Sequence, residues 1–443
     1  MSRRAILFLL ALILLTSVLC AVSAGSSADA EPVSGGWGAR FLSELAAADP
    51  KTASFADLPF LETFRLSYGS YPYFRLYRAL MDGTYDPDLW HETAGKTALV
   101  LRDEYDGVLD PLSISYRTDI RVLPDSDTSV ICVIGDVAFA DNYEIMPKLI
   151  ERGQGLAGVL AEDLTERLRS ADILLVNSEF ALTNRGTPLP DKMYHFRGDP
   201  ANVRYLIEMG TDIVTLANNH VYDFGEIGFS DTLATFRNAR IPAIGAGEDL
   251  AEASKPFYFI LNGRKYGFTA ATRAEKLIRT PEAIDHSSGV LRMYDMTRYL
   301  QVIREAEAEC DVNIAYVHWG KEKSHQTEDG LFENAVAMIE AGADVVIGAH
   351  AHVLQGIDYY DHVPIFYNLG NFLFDEATLD TAVLELDFGS GPTPSVRMIP
   401  CIQTDWKTSF LTGSDRERVW RLLRSLSPNV SIDGDGLVTE KNT

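Results

Sequence analysis

Six apolar runs in the chain each lead into residues that bind metals or carry protons. The runs are 130–134, 173–176, 213–216, 313–317, 345–347 and 365–367, and the polar residues that follow them are Asp136, Glu179, Asn219, His318, the pair His350 and His352, and Asn371. Helical patterns separate most of the runs, which indicates strands of a layered α/β sheet. Ligands of such sheets collect beyond the carboxyl ends of the strands, so the pattern predicts one polar cleft.

The residue types in this cleft suit a divalent metal site. Carboxylate, amide and imidazole ligands together are typical of Mn, Fe or Zn, and we expect one or two such ions. The sharpest motif is the pair His350 and His352, which follows a buried-type strand and can present two imidazoles to neighbouring ions. The alternative for this motif is a core or surface histidine pair, and Asp136 or Glu179 taken alone is typical of a turn or a solvated rim.

A candidate proton-transfer pair lies beside the predicted ligand Asn219. His220 follows it directly, and Asp223 is three residues further on, where a carboxylate can orient the imidazole. We therefore predict His220 and Asp223 as catalytic residues. The alternative is a turn with an unconnected histidine, which such a pattern produces more often when it stands alone.

Three further residues are candidates for binding substrate. His195 and Arg197 form a cationic pair that could meet an anionic group, although an ordinary surface loop explains them equally well. Asn371 follows the last of the six runs and is the third candidate. His325 is predicted to be exposed and to bind no metal.

Composition excludes some classes of protein. The 443 residues are 46% hydrophobic and 23% charged, which is typical of a globular chain with a sizeable core. The net charge is −24 and no Lys/Arg cluster offsets it, so we expect no nucleic-acid partner. None of the four cysteines has the spacing of a zinc or redox pair.

The N-terminus predicts export from the cytoplasm. Arg3 and Arg4 precede the apolar stretch 5–22, and small residues follow it, so 1–30 is a signal peptide or an N-terminal anchor. Residues 31–128 form an accessory region of unknown role that ends in a predicted linker at 124–127. The main domain is predicted at 129–428, and 429–443 is predicted to be a loose polar tail.

The ordered motifs resemble those of the CapA family, the poly-γ-glutamate capsule biosynthesis proteins within the calcineurin-like metallophosphoesterase superfamily. The resemblance covers about 130–375 and rests on GD (135–136), NSE (177–179), LANNHVYDFG (216–225), HWGKE (318–322), GAHAHVLQ (348–355) and NLGNFLFD (368–375). It implies a four-layer αββα sandwich in which two sheets pack face to face with helices outside.

The resemblance also implies roles. Asp136 and His352 would hold one ion, Glu179 would bridge both, and Asn219, His318 and His350 would hold the other, with His220 as the acid or substrate contact. Two positions depart from the superfamily: Ala138 replaces a histidine ligand, and Glu179 replaces the usual aspartate. The first site is therefore one ligand short, and it either binds weakly or recruits a water or Asp141.

Two functions from different classes remain open at this level. One is a metal-dependent hydrolase that acts on a phosphoester or an envelope polymer, favoured by the pairs at 219–220 and 350–352. The other is a non-catalytic capsule-assembly subunit or metal-dependent polymer-binding protein, favoured by Ala138. Expected partners are an anionic envelope polymer or phosphoester substrate and capsule-synthesis membrane proteins, and the expected location is extracytoplasmic, secreted or membrane-anchored.

Overall fold

A computed structural model describes residues 119–441, except 125, 127, 276–278, 390 and 392. The chain divides into two compact units, residues 1–125 and 126–443. The first unit is described only at 119–124, which contains a short strand. The predicted segment 1–30 and nearly all of the predicted accessory region 31–128 lie outside the described residues. The boundary between the units falls three residues before the predicted one.

The elements of the described residues alternate between strands and helices along most of the chain. The strands are β1 (Ile120–Val122), β2 (Val130–Val137), β3 (Ile173–Ser178), β4 (Ala181–Leu182), β5 (Arg197–Gly198), β6 (Ile213–Thr215), β7 (Ala243–Ile244), β8 (Ala246–Gly247), β9 (Phe257–Leu261), β10 (Arg264–Thr272), β11 (Gly289–Val290), β12 (Val312–His318), β13 (Val345–Ala349), β14 (Ile357–Tyr360), β15 (Val363–Phe366), β16 (Asn371–Leu373), β17 (Thr378–Asp387), β18 (Ser395–Thr404), β19 (Lys407–Phe410), β20 (Val430–Ile432) and β21 (Leu437–Glu440). The helices are α1 (Ile145–Arg152), α2 (Glu162–Arg169), α3 (Val203–Met209), α4 (Gly225–Ala239), α5 (Leu250–Ala253), α6 (Thr297–Glu307), α7 (Leu331–Glu340) and α8 (Gly413–Leu426), with 3₁₀ turns at Gly155–Gly158 and Pro200–Asn202.

Two mixed sheets form the second unit. In sheet I the strands run in the order β20–β21–β18–β17–β2–β3–β6–β7, with β16 beside β2 and β19 beside β18. In sheet II the order of the second unit's strands is β9–β10–β12–β13–β15–β14. Strands β2, β3, β6 and β7 are mutually parallel, as are β10, β12, β13 and β15. Each sheet therefore carries one set of carboxyl-terminal strand ends.

Both faces of the central strands are buried, which explains why these strands are continuous apolar runs in the sequence. Cys132 and Ile134 of β2 pack in a core with helices α1 to α4 on one side of sheet I. Ala315 and Val317 of β12 pack with α6 and α7 on one side of sheet II. The intervening residues, such as Tyr316, are buried on the opposite faces. The predicted four-layer sandwich of two sheets with outer helices is confirmed.

An aspartate precedes each of four parallel strands, and its carboxylate accepts a hydrogen bond from the start of the neighbouring strand. Asp172, Asp212, Asp311 and Asp344 stand one residue before β3, β6, β12 and β13. Each carboxylate accepts a backbone N–H from the adjacent strand, from Val130, Leu174, Lys265 and Asn313 respectively, at 2.8–2.9 Å. These bonds satisfy amides that the parallel ladder leaves open at its end.

We expect Asp344→Ala to lower the free energy of unfolding by about 1–3 kcal/mol, because the Asn313 N–H loses its charged acceptor in a half-buried position. Asp344→Asn keeps an oxygen of the same shape and should lose less. Urea denaturation of the three proteins measures the difference. Equal stability of the wild type and Asp344→Ala would contradict the role of this carboxylate.

The prediction of a loose tail at 429–443 is wrong for residues 429–441, the part of the tail that the structure describes. Strands β20 and β21 pair with each other, and β21 pairs with β18. Val430, Ile432 and Val438 are buried, and the Met398 N–H donates to the Gly436 carbonyl oxygen at 2.9 Å. The polar composition of the segment concealed this short period-two pattern, which adds a hairpin to the edge of sheet I.

Candidate metal centre

Strands β2 and β3 place two carboxylates side by side at the end of sheet I. Asp136 and Glu179 are fully buried, and the Asn177 side-chain amide donates to Asp136 Oδ1 at 2.7 Å and to Glu179 Oε2 at 3.4 Å. A Cβ on Gly135 would lie 1.8 Å from the Gly370 carbonyl oxygen, so only glycine permits this approach. The register of β2 against β3 shifts at this glycine, which re-aims Asp136.

His318 reaches the same carboxylates from the end of β12 in sheet II. Its Nε2 lies 2.8 Å from Asn219 Oδ1 and 3.4 Å from Glu179 Oε1. The imidazole is fully buried, and burial lowers its pKa to about 3, so the ring is neutral and can act as a ligand. The centre is thus assembled where the ends of the two sheets meet.

The loop after β13 supplies two more imidazoles in a constrained backbone. His350 and His352 have φ values of 91° and 58°, a left-handed region that non-glycine residues seldom adopt. A Cβ on Gly348 would lie 2.1 Å from the Tyr367 carbonyl oxygen, which keeps the end of β13 tight against the neighbouring segment. The rings of His350 and His318 are 4.7 Å apart between centroids. Such strain at a polar cluster is typical of a functional site.

The donor atoms at this centre fit divalent ions. Asp136, Glu179 and His318 form one group whose ligand atoms lie within 4.8 Å of one another, and Glu179, His350 and His352 form a second. Asp136 Oδ2, Glu179 Oε1 and His350 Nδ1 are buried and make no hydrogen bond within the described part of the chain. Buried polar atoms without partners are costly, and a bound cation would satisfy all three.

The charges of the centre lead to the same conclusion. Burial raises the pKa of Glu179 well above its usual range, and the charge of Asp136 raises it further. Burial lowers the pKa of His352, but Glu179, Asp136 and Asn371 outweigh that effect and raise it to about 9. The carboxylates therefore favour a positive charge at this place, which the His352 imidazolium provides. A divalent ion would stabilise the same carboxylates.

The pair contacts bear on which residue holds which ion. His352 Nδ1 lies 3.3 Å from Asp136 Oδ2, and His318 lies beside Asn219, as the implied assignment requires. The two ligand groups nevertheless differ from that assignment. His318 lies in the group of Asp136, and His350 lies in the group of His352, whereas the assignment places His318 with His350 and Asp136 with His352. Glu179 belongs to both groups. The division of the remaining ligands between two ions stays a prediction.

His220 and Asp223 lie together beside the centre. His220 Nδ1 is 2.7 Å from Asp223 Oδ2, which also accepts the Phe196 N–H at 2.7 Å. Burial lowers the pKa of His220 well below its usual range, and the charge of Lys192 lowers it further. Burial raises the pKa of Asp223 to about 6, against the lowering effect of Lys192. The spacing of three residues thus brings the two side chains into direct contact, as predicted from the sequence.

The candidate substrate-binding residues have other contacts. The His195 Nε2 lies 2.7 Å from the Leu189 carbonyl oxygen, and its ring packs on Phe224. The Arg197 guanidinium lies over the same Phe224 ring, 4.6 Å from its centroid. Asn371 Oδ1 is 2.7 Å from His352 Nδ1, and its amide donates to Glu376 at 2.9 Å. This double contact holds the His352 ring in place, and substrate binding by all three residues stays a prediction.

The first ion position receives no ligand from Asp141. Its carboxylate accepts hydrogen bonds from the Asn202 side-chain amide at 2.9 Å and from the Asp199 N–H. Asp141 therefore stabilises the segment that follows β5. Ala138 is buried at the position of the missing histidine. The prediction that Asp141 could replace that histidine is therefore wrong for this structure.

Two residues of the site escaped sequence reasoning. Asn177 contacts both carboxylates, and its place in the NSE motif was the available signal. Lys192 is buried and lies 2.6 Å from Asp223 and 2.7 Å from Glu275. Lys192 stands in a loop without a recognisable motif, and its partners are far away in sequence, so no local pattern indicated it.

The family described as "Bacterial capsule synthesis protein PGA_cap" matches residues 130–376, which contain the whole centre, and the chain belongs to that family. Capsule biosynthesis protein CapA of Bacillus anthracis is 31% identical over 243 residues, covering 53% of this chain and 58% of the relative. PGA biosynthesis protein CapA of Bacillus subtilis (strain 168) is 32% identical over 240 residues, covering 52% and 62%. The match therefore spans about three fifths of these relatives' length.

Among solved structures, NAD nucleotidase (NadN) of Haemophilus influenzae is similar with a TM-score of 0.38 and 16% identity, covering 69% of this chain and 57% of that one. The 5'-nucleotidase of Candida albicans SC5314 is similar with a TM-score of 0.36 and 13% identity, covering 69% and 59%.

Proposed function

We propose that this chain takes part in the synthesis of a capsule or another cell-envelope polymer, of the poly-γ-glutamate kind, and carries a metal-dependent hydrolase site. Family membership supports the first part, since the relatives in Bacillus anthracis and Bacillus subtilis are named for capsule and PGA biosynthesis. The observation that carries the second part is the buried Glu179, which belongs to two ligand groups at once. A single carboxylate shared in this way suits a pair of divalent ions, Mn, Fe or Zn.

Ions in this cluster would polarise the bond to be cleaved and lower the pKa of an attacking water. The chain itself positions the proton carrier. Asp223 accepts from His220 Nδ1, which leaves Nε2 for the reacting groups. Because burial lowers the pKa of His220, the neutral ring first accepts a proton at Nε2 and then returns it to the leaving group. The substrate on this proposal is a phosphoester or a bond within an anionic envelope polymer.

A second function is favoured by Ala138, which leaves the first ion position short of a ligand. On this alternative the chain is a non-catalytic capsule-assembly subunit or a metal-dependent polymer-binding protein. Its partners would be the polymer and the membrane proteins that synthesise it. The centre would then order the cleft for binding instead of turnover.

The test is a metal analysis of the purified full chain, followed by a screen of Mn²⁺-loaded protein against phosphoesters and envelope polymers. Hydrolysis that depends on added metal supports the enzyme. If the loaded protein cleaves nothing, while loss of the gene or the His350→Ala variant alters polymer output in cells, the enzyme proposal fails and the assembly subunit is supported.

We also propose that the protein acts outside the cytoplasm, secreted or held by its N-terminal segment. The support is the order of charge, apolar core and small residues in 1–30. No helix in the described part of the chain is long and apolar enough to cross a membrane. N-terminal sequencing of the native protein should start near Gly25 or Glu31, or the intact chain should fractionate with membranes. An intact chain in the cytosolic fraction would contradict this proposal.

A further inference from the structure

Lys192 is a buried cation that none of the proposed chemistry uses. Its side chain is only 4% exposed, and its ammonium lies 2.6 Å from Asp223 Oδ1 and 2.7 Å from Glu275 Oε2. It also donates a hydrogen bond to the Asn219 backbone carbonyl. A lysine is seldom buried unless its charge is matched, and here two carboxylates and a carbonyl match it.

The three partners of Lys192 belong to different parts of the centre. Asn219 carries the amide that lies beside His318, and Asp223 carries the carboxylate that orients His220. Glu275 stands on a separate segment after β10, where Arg279 also contacts it at 3.0 Å. One ammonium therefore fixes a candidate metal ligand and the support of a candidate proton carrier at the same time.

From these contacts we infer that Lys192 is a positioning residue, which holds Asn219 in place for metal binding and Asp223 in place for His220. This inference rests on the proposed metal centre. The Asn219 carbonyl receives one further hydrogen bond, from Thr280 Oγ1 at 3.2 Å. The Thr280 hydroxyl is neutral and its contact is longer than that of the ammonium, so it holds the Asn219 carbonyl less strongly than Lys192 does.

Variants can distinguish the two proposed roles of Lys192, which are to hold Asn219 and to hold Asp223. Loss of the ammonium releases the Asn219 backbone, and metal binding should weaken, because partners that orient metal ligands are typically worth about 10–100-fold in affinity. Asp223→Asn removes the support of His220 but leaves the contact between Lys192 and the Asn219 carbonyl. Metal affinity should then stay within about 3-fold of the wild type, well short of that range.

The experiment titrates the full chain with Mn²⁺ by calorimetry, for the wild type, Lys192→Met, Lys192→Arg and Asp223→Asn. Lys265→Met is the matched control. Lys265 lies on β10 of sheet II, its side chain is also 4% exposed, and its ammonium lies 3.5 Å from the Glu309 carboxylate. We expect Lys192→Met to weaken Mn²⁺ binding about 10–100-fold, Lys192→Arg to recover part of that loss, and Lys265→Met to bind as the wild type does. Circular dichroism below the unfolding transition checks that each variant is folded.

Wild-type affinity in folded Lys192→Met, or an equal loss in Lys265→Met, overturns the inference. Should Lys192→Met fail to fold, Lys192→Arg decides: affinity below that of the wild type with unchanged secondary structure supports the inference, and unchanged affinity overturns it. A wild-type chain that binds Mn²⁺ but hydrolyses nothing overturns only the enzyme proposal. A wild-type chain that binds no Mn²⁺ overturns the metal centre and the role of Lys192 together.

Discussion

Glu179→Gln should abolish high-affinity metal binding, with a loss of more than about 100-fold in Mn²⁺ affinity. Glu179 is the carboxylate common to both ligand groups, so its replacement by a neutral amide weakens both ion positions. Residues that merely orient ligands cost about 10–100-fold, and a shared charged ligand should cost more. Calorimetric titration and metal analysis after dialysis measure the loss directly.

The stability of Glu179→Gln provides an independent check. Wild-type protein should gain about 2.7 kcal/mol at a metal concentration one hundred times the dissociation constant, whereas the variant should gain little at the same concentration. The metal-free variant should be at least as stable as the metal-free wild type, because a buried carboxylate whose burial raises its pKa is replaced by a neutral group.

His325→Ala is the control for this prediction. The His325 Nδ1 lies 2.7 Å from the Leu354 carbonyl oxygen, and the residue belongs to neither ligand group. The His325→Ala protein should therefore bind metal as the wild type does. Equal loss of metal from the two variants would mean that the ions bind elsewhere.

The strand ends of the centre could be predicted because they follow a local rule. Each ligand follows an apolar run within five residues, and parallel strands bring their carboxyl ends to one edge. Asp136, Glu179, Asn219, His318, His350 and His352 therefore meet as expected. The contact between His220 and Asp223 was equally local, since three residues separate them.

What the sequence could not predict depends on contacts between distant segments. Lys192 meets Glu275 across 83 positions, and no short pattern encodes that pairing. Asp141 stands close to the centre in sequence, yet its carboxylate is taken by Asn202 and the Asp199 amide. The tail illustrates a different limit, because hairpin β20–β21 depends on β18 to provide an edge for pairing.

His220→Ala should leave metal content nearly unchanged and reduce any hydrolytic rate by about 10²–10⁴-fold, the usual contribution of a positioned acid or base. The reason is that the adjacent residues Asn219 and His220 have different roles. Asn219 supplies the amide beside His318, whereas His220 turns its Nδ1 towards Asp223. Its removal therefore takes away the proton carrier and spares the ligand. Steady-state kinetics of Mn²⁺-loaded protein and metal analysis of the same samples measure both quantities.

The matched control is His286→Ala, since His286 is exposed and has no assigned role in the centre. A residual rate in His220→Ala is still expected, because the ions and the bound substrate contribute independently of the imidazole. The rate loss should appear in kcat more than in KM, as His220 acts on the proton and not on the binding of the polymer. If His220→Ala instead loses metal together with activity, the imidazole is a ligand, and the proton carrier must be sought among the other polar residues of the cleft, with Glu322, 3.9 Å from His350, as the first to be tested.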